Sequence, residues 1–335
     1  MKIIIPIAGE GSRMYPHTHS TQKGLMQIAG RPILDYVIDD IEKINPSDLY
    51  FVVGHKKDDV KKHIETNYPT LNCHFVHQKI RDGDGGAVKL ALEQFNKDDE
   101  IYIVFGADTL IDFNLKKSLD KYKSSDAIIF GMQVNNPSSY GVLNYDKNMN
   151  ITAVEEKPEN PKSDVAIIGA YYFKSAFVVR EYLREFYKNN ITSKGEYRII
   201  QVIDKYTQKD DLTIKLSKVD KWFDCGQVSV MLNANKYFLE KKSKQKIPFL
   251  KEHNVIIPPV FISKSAKLKG CKIGPYVSIG PETNLEDVNI QNSIIDTKVE
   301  LKNKILKDSL CSQYSRAIGK KEKLNLGANS NLESL

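Results

Sequence analysis

The feature that most constrains the fold lies in the last third of the chain. From Val255 onward, large apolar residues recur at Ile262, Leu268, Ile273, Ile279, Leu285, Ile290, Ile295, Leu301 and Leu306, five or six residues apart. A second row stands two residues ahead of the first eight: Val260, Ala266, Cys271, Val277, Thr283, Val288, Ser293 and Val299, all small or β-branched. A helix repeats at 3.6 residues and a flat strand at 2, so neither yields this spacing. Turn residues fall at the breaks in Ile273-Gly274-Pro275 and Ile279-Gly280-Pro281. The pattern predicts a hexapeptide-repeat β-helix of about three triangular coils, in preference to a small sandwich with strands alternating at period two.

The first 240 residues read differently. Short apolar runs at Ile3–Ala8, Leu49–Val53, His74–His77, Ile101–Phe105 and Ala127–Met132 alternate with helical spacing over 33–44, 57–67 and 86–95. Continuous apolar strands separated by helices predict an α/β domain with a Rossmann-like, mostly parallel sheet covered on both faces. Further strands are expected at Ile151–Val154, Ala166–Phe173 and Leu212–Leu216, with helices near 175–188 and 196–206. The expected division is 1–240 for this domain, a charged linker over 241–256, and the β-helix with a terminal cap over 257–335. A chain of 335 residues has room for both.

Composition removes several classes of function. The net charge is +7 with both signs interspersed, which suits an anionic small substrate and argues against a nucleic-acid-binding tail. Mean hydropathy is −0.40 and no apolar run approaches the ~18 residues of a membrane span. The apolar stretch after Met1-Lys2 ends at Gly9-Glu10, short of the ~7–15 residues of a signal-peptide core, so it reads as a buried first strand. Four scattered cysteines form neither a metal knuckle nor a disulfide framework, and the expected compartment is the cytoplasm. No histidine set has zinc spacing.

The chemistry-bearing stretch follows the first strand: Gly9-Glu10-Gly11-Ser12-Arg13, then Pro16, Thr18, Lys23 and Leu25 through Gly30-Arg31-Pro32. Glycines let backbone N–H groups approach an anion closely, and an arginine in the loop adds a fixed cation. It is not a Walker A loop, and Met14 at the sixth position departs from the dinucleotide fingerprint. In its full register the stretch resembles the N-terminal signature of the sugar-1-phosphate nucleotidylyltransferases. Within that family the nearest resemblance is to long-form glucose-1-phosphate thymidylyltransferases, which end in a left-handed β-helix. One departure is Gln22 where the family usually has proline, which is expected to loosen the loop before Lys23.

The resemblance implies roles residue by residue over roughly 1–235. Ala8, Gly9, Gly11 and Ser12 would wrap a nucleoside triphosphate, with Arg13 and Lys23 as its phosphate-binding cations. Gln78 and Gly83 would read a pyrimidine edge, although Asp82-Gly83-Asp84-Gly85-Gly86 departs from the commoner Gly-Thr-Ala form and reads by composition as a turn. Asp108 and Asp224 would be the carboxylates of an Mg²⁺ site. Gly141, Glu156, Lys157, Tyr171 and Glu196 would face the sugar phosphate, with Lys157 on its phosphate. The implied reaction passes a nucleotidyl group, dTTP favoured, to a sugar 1-phosphate, glucose 1-phosphate favoured, releasing pyrophosphate. UTP, or GTP with mannose 1-phosphate, remains an alternative. The β-helix also resembles hexapeptide acyltransferases, although no histidine lies within the coils, and a non-catalytic sugar-nucleotide sensor would share the fold. Flat coil faces suggest a homo-oligomer.

Overall fold

The computed structural model describes residues 1–106, 109–242 and 253–319. Asp108, most of the expected linker, and the expected cap from residue 320 lie outside the described residues. The chain forms two compact units.

The first unit comprises Met1–Gln27 and Arg31–Ala234. Its main sheet runs in the order Ile151–Glu156, Gly141–Tyr145, Val165–Phe173, Ile101–Val104, Lys2–Ile7, Asp48–Val53, Cys73–His77. Strand Lys2–Ile7 pairs in parallel with Asp48–Val53 on one side and Ile101–Val104 on the other. These strands read as unbroken apolar runs because both faces are buried. Ile4, Tyr50 and Val52 enter one core with the helices Asp84–Leu92, Ala176–Lys188 and Ile199–Thr207. Their neighbours Ile3, Ile5, Ile7, Leu49, Phe51 and Val53 enter the other, beneath the helices Ile33–Glu42 and Lys57–Asn67.

The second half of the sheet is mixed, within a Rossmann-like sheet whose first half is parallel. Val165–Phe173 lies antiparallel between Ile101–Val104 and Ala127–Gln133, separating two strands that point the same way. Ile214–Lys218 then adds in parallel beyond Ala127–Gln133. A separate two-stranded ribbon pairs Lys221–Asp224 with Thr109–Asp112, neither of which the apolar pattern indicates. The parallel strands all finish at one edge. There Gly9–Arg13, Gln78 and Phe105 leave the sheet together, the position at which open α/β sheets bind ligands.

The second unit comprises Ile28–Gly30 and the chain from Asn235. Its coils are stacked in parallel register. Val260 pairs with Val277 and Val277 with Ser293, so the chain returns to the same place after 17 and then 16 residues. Three faces result, each with four strands, one coil more than the apolar rows suggest. The outermost coils escaped notice because Val255–Ile256 and Arg316–Ile318 are short and half-exposed. Both rows point inward, from Ile262 to Leu301 and from Ala266 to Val299, with Thr283 and Ser293 buried among them. At the corners the backbone turns through positive φ at Gly270, Asp287 and Asn303, at Tyr276, Asn292 and Asp308, and at Glu282, Lys298 and Tyr314. The fully buried Asn235 ties this unit internally. Its Oδ1 accepts from Ala29 N at 2.9 Å and Ser278 Oγ at 2.6 Å, while Nδ2 donates to Tyr276 O at 3.2 Å. Among the described residues no helix is long and apolar enough to cross a membrane.

Candidate active site

Two cavities adjoin at the carboxyl edge of the first unit's sheet. The first, about 400 Å³, is lined by Ala8, Gly9, Gly11, Ser12, Arg13, Lys23, Gln78, Gly83 and Glu196, with Arg81, Asp84 and Phe105. The second, about 580 Å³, is lined by Gly141, Glu156, Lys157, Tyr171, Asp224 and again Arg13, with Arg198, Trp222, Asp84 and Phe105. Arg13, Asp84 and Phe105 belong to both walls.

The glycine loop is held by its own chain. Gly11 has φ 68°, and a Cβ there would stand 3.1 Å from Thr18 Cγ2 and 3.3 Å from Lys23 Cβ, so only glycine allows Lys23 to lie beneath the loop. Thr18 Oγ1 donates to Gly11 O at 2.9 Å, and His55 Nε2 contacts Thr18 O at 3.0 Å. The expected loosening at Gln22 is not what the structure has. Gln22 is fully buried; its Nε2 donates to Ile7 O at 3.0 Å and its Oε1 accepts from Gly24 N at 2.5 Å. Two hydrogen bonds replace the stiffness of a proline ring, and they tie the end of the first strand to the residues flanking Lys23.

The segment around Asp82–Gly85 is zipped to a later loop. Tyr197 N donates to Asp82 O at 2.8 Å, Gly85 N to Tyr197 O at 2.9 Å, and Ile199 N to Asp84 Oδ1 at 2.7 Å. Gly83, at φ 116°, lies so close to this loop that a Cβ would approach Tyr197 O to 2.2 Å. Gln78 is buried, and its Nε2 donates to Gly83 O and Asp82 Oδ1, both at 3.2 Å. The zipper also explains the place of Glu196. It lines the first cavity and pairs with Arg198 Nη2 at 2.8 Å. Arg198 reaches Glu156 as well, at 3.7 Å. Across the mouth of the first cavity Arg81 pairs with Glu10 at 2.5 Å, which draws the Glu10 carboxyl below its usual range.

By composition Asp84 belongs to a turn. It opens the helix Asp84–Leu92, and burial pushes its carboxyl up to about 6 despite the Ile199 N–H and the nearby Arg198; Glu196 and Glu156 act in the same upward direction. No sequence signal separates it from the flanking turn residues, since its position follows from the long-range pairing with Ile199.

Asp224 stands opposite Thr109 in the ribbon register, one residue past Asp108 in the chain. Its Oδ2 lies 3.5 Å from Arg13 Nη1 and its Oδ1 accepts from Gly226 N at 3.2 Å. Thr109 is pinned by Thr109 N to Phe105 O at 3.2 Å and Oγ1 to Ile168 O at 3.1 Å. Among the described residues no three His, Cys, Asp or Glu side chains cluster as a metal centre. A partly exposed carboxylate at the wall of the second cavity fits Mg²⁺, which takes one or two carboxylates and keeps water and phosphate oxygens. Lys157, at φ 49°, is held by its N–H to Tyr140 O at 3.0 Å, and its side chain lines the second cavity.

Cations from four separate segments, at Arg13 and Lys23, Arg81, Lys157 and Arg198, line the two joined cavities and suit phosphorylated substrates. Residues 2–241 match the nucleotidyl transferase family, and the chain belongs to that family. It is a nucleotidyltransferase that uses an NTP and a sugar 1-phosphate. It is 30% identical over 347 residues to the bifunctional protein GlmU of Methanocaldococcus jannaschii, covering 98% of this chain and 80% of that one. It is 27% identical to a glucose-1-phosphate thymidylyltransferase of Streptomyces antibioticus, covering 86% and 83%. Among solved structures, a UDP-glucose pyrophosphorylase from Acinetobacter baumannii shares the fold, with TM-score 0.60, 19% identity, and coverage of 72% and 94%.

Proposed function

We propose that the enzyme transfers a thymidylyl group from dTTP to glucose 1-phosphate in the cytoplasm, with the nucleotide in the first cavity and the sugar phosphate in the second. The observation that supports this reading is the junction of the two cavities at Arg13, where a triphosphate and a sugar phosphate would meet. An oxygen of the sugar phosphate attacks the α-phosphorus in line. The bond from the α-phosphorus to the α–β bridging oxygen breaks, and pyrophosphate leaves with the electron pair. Lys157 holds the incoming phosphate against the repulsion of the triphosphate. Arg13 and Lys23 offset charge on the triphosphate as it shifts to the leaving group. Asp224, with Asp108, would hold Mg²⁺, which when bound supplies further charge neutralisation on the phosphates.

The Gln78 amide oxygen supports a 4-keto pyrimidine: both Nε2 hydrogens are taken by Asp82 and Gly83 O, which leaves Oε1 to accept from the ring N3–H. The similarity to the Streptomyces antibioticus thymidylyltransferase supports thymine in particular. The deciding experiment crosses dTTP and the four ribonucleoside triphosphates with glucose, mannose, galactose and N-acetylglucosamine 1-phosphates, and identifies products by mass. Transfer is expected with dTTP and UTP ahead of CTP and purines. A competition at equal concentration that GTP wins would overturn the base assignment and favour mannose 1-phosphate.

A further inference from the structure

We infer that Asp84 selects the acceptor by accepting a hydrogen bond from one of its hydroxyl or amino groups, an inference that rests on the nucleotidyl-transfer reading above. Asp84 lies on the wall shared by both cavities. Its Oδ1 is occupied by the Ile199 N–H at 2.7 Å, and no described protein group bonds Oδ2. A carboxylate there is a poor neighbour for two polyanionic substrates, because it repels both. It is explained by a ligand that brings a donor to it, since an ionised oxygen at a cavity wall bonds strongly to hydroxyl or ammonium groups and penalises a ligand that lacks one.

The surroundings assign that donor to the acceptor rather than to the ribose of the nucleotide. Glu156, Arg198 and Tyr171, three of the groups that interact electrostatically with Asp84, line the second cavity; Glu196 alone stands in the first. Arg198 is already shared between Glu156 and Glu196, so it leaves Asp84 open to a ligand. The substrate class is therefore a sugar 1-phosphate with a free hydroxyl or amine at the position that reaches the junction. The same sugar with hydrogen at that carbon is the disfavoured analogue.

The test uses the full chain and glucose 1-phosphate, its 2-, 3-, 4- and 6-deoxy analogues, and glucosamine 1-phosphate, with wild type, Asp84→Ala and the isosteric Asp84→Asn. Circular dichroism establishes that each variant is folded. Wild type should lose roughly tenfold to a hundredfold in kcat/KM with one deoxy analogue. In Asp84→Ala that discrimination should collapse to within about threefold, with the KM for dTTP within about twofold of wild type. Unchanged discrimination, or a rise confined to the KM for dTTP, overturns the assignment while leaving nucleotidyl transfer intact. Wild type that transfers to no acceptor overturns the reading on which the inference rests.

Discussion

Replacing Asp84 by asparagine should stabilise the enzyme at neutral pH, and the gain should vanish in acid. The carboxyl is held at about 6 in the fold against an ordinary 3.8. Below pH ~4 it is protonated in folded and unfolded chains alike and costs nothing. As pH rises from there, the unfolded chain releases its proton while the folded one retains it until about 6. Stability is thus lost through that window, and the loss is constant above it. A gap of about two pH units corresponds to at most ~3 kcal/mol at 1.36 kcal/mol per unit. Asparagine keeps an oxygen for the Ile199 N–H and removes the charge. Calorimetry without ligands should therefore give Asp84→Asn a Tm above wild type at pH 7.5, by no more than ~6–12 °C at ~2–4 °C per kcal/mol, and near equality at pH 4. A variant that melts below wild type at pH 7.5, or a difference with no slope between pH 4 and 7, refutes the reasoning. Confirmation would mean that the wild-type residue is kept at a standing cost in stability, as residues at binding sites often are.

Other perturbations follow from the same geometry. Gln22→Ala leaves Ile7 O and Gly24 N without their partner in a buried place; it should cost ~1–3 kcal/mol, seen as a lower Tm, and raise the KM for the nucleotide more than that for the sugar phosphate. Asp224→Asn should lower turnover by ~10²-fold or more while changing the Tm little; near wild-type turnover with Mg²⁺ would remove Asp224 from the metal site. A chain ending at Lys246 deprives the buried Asn235 of Tyr276 O and Ser278 Oγ. It should keep measurable nucleotidyl transfer but melt lower and change its assembly state by light scattering; folded, nucleotide-binding protein with no turnover would show that the coils complete the active site.

The elements legible in the sequence are those whose signal is local. The strand Lys2–Ile7 is an unbroken apolar run because both faces are buried, and the inward rows of the coils repeat because every corner restarts the same geometry. Pairings between distant segments left no comparable trace. The ribbon of Thr109–Asp112 and Lys221–Asp224 is four residues a side, and its sequence does not announce the partner. Val165–Phe173 shows its own strand character but nothing of its antiparallel insertion between two other strands. The same holds at the site. The glycine loop has a recognisable register, whereas the placement of Asp84, Arg198 and Glu196 depends on a zipper between residues 82–85 and 197–199. At Gln22 the family's proline suggests stiffness by ring closure, whereas the amide donates to Ile7 O and accepts from Gly24 N.

The change from 17 to 16 residues per coil has a consequence for how this tail tolerates change in length. The extra residue sits at one corner: four steps lead from Ile273 to Val277, but three from the paired Ile290 to Ser293. That corner, Gly274-Pro275-Tyr276, turns through two residues of positive φ, Gly274 and Tyr276, whereas the later corners turn through a single left-handed residue such as Asn292. A one-residue insertion at the earlier corner can bulge into solvent and leave Ile279 facing inward. The same insertion next to Ile295 or Leu301 would put the apolar row out of phase and turn it outward for the rest of its rung. Loss of a whole coil preserves phase, because each coil contacts only its neighbours. The tail is therefore a counter with a unit of one turn, able to lengthen or shorten by whole coils and intolerant of fractions except at its proline corner.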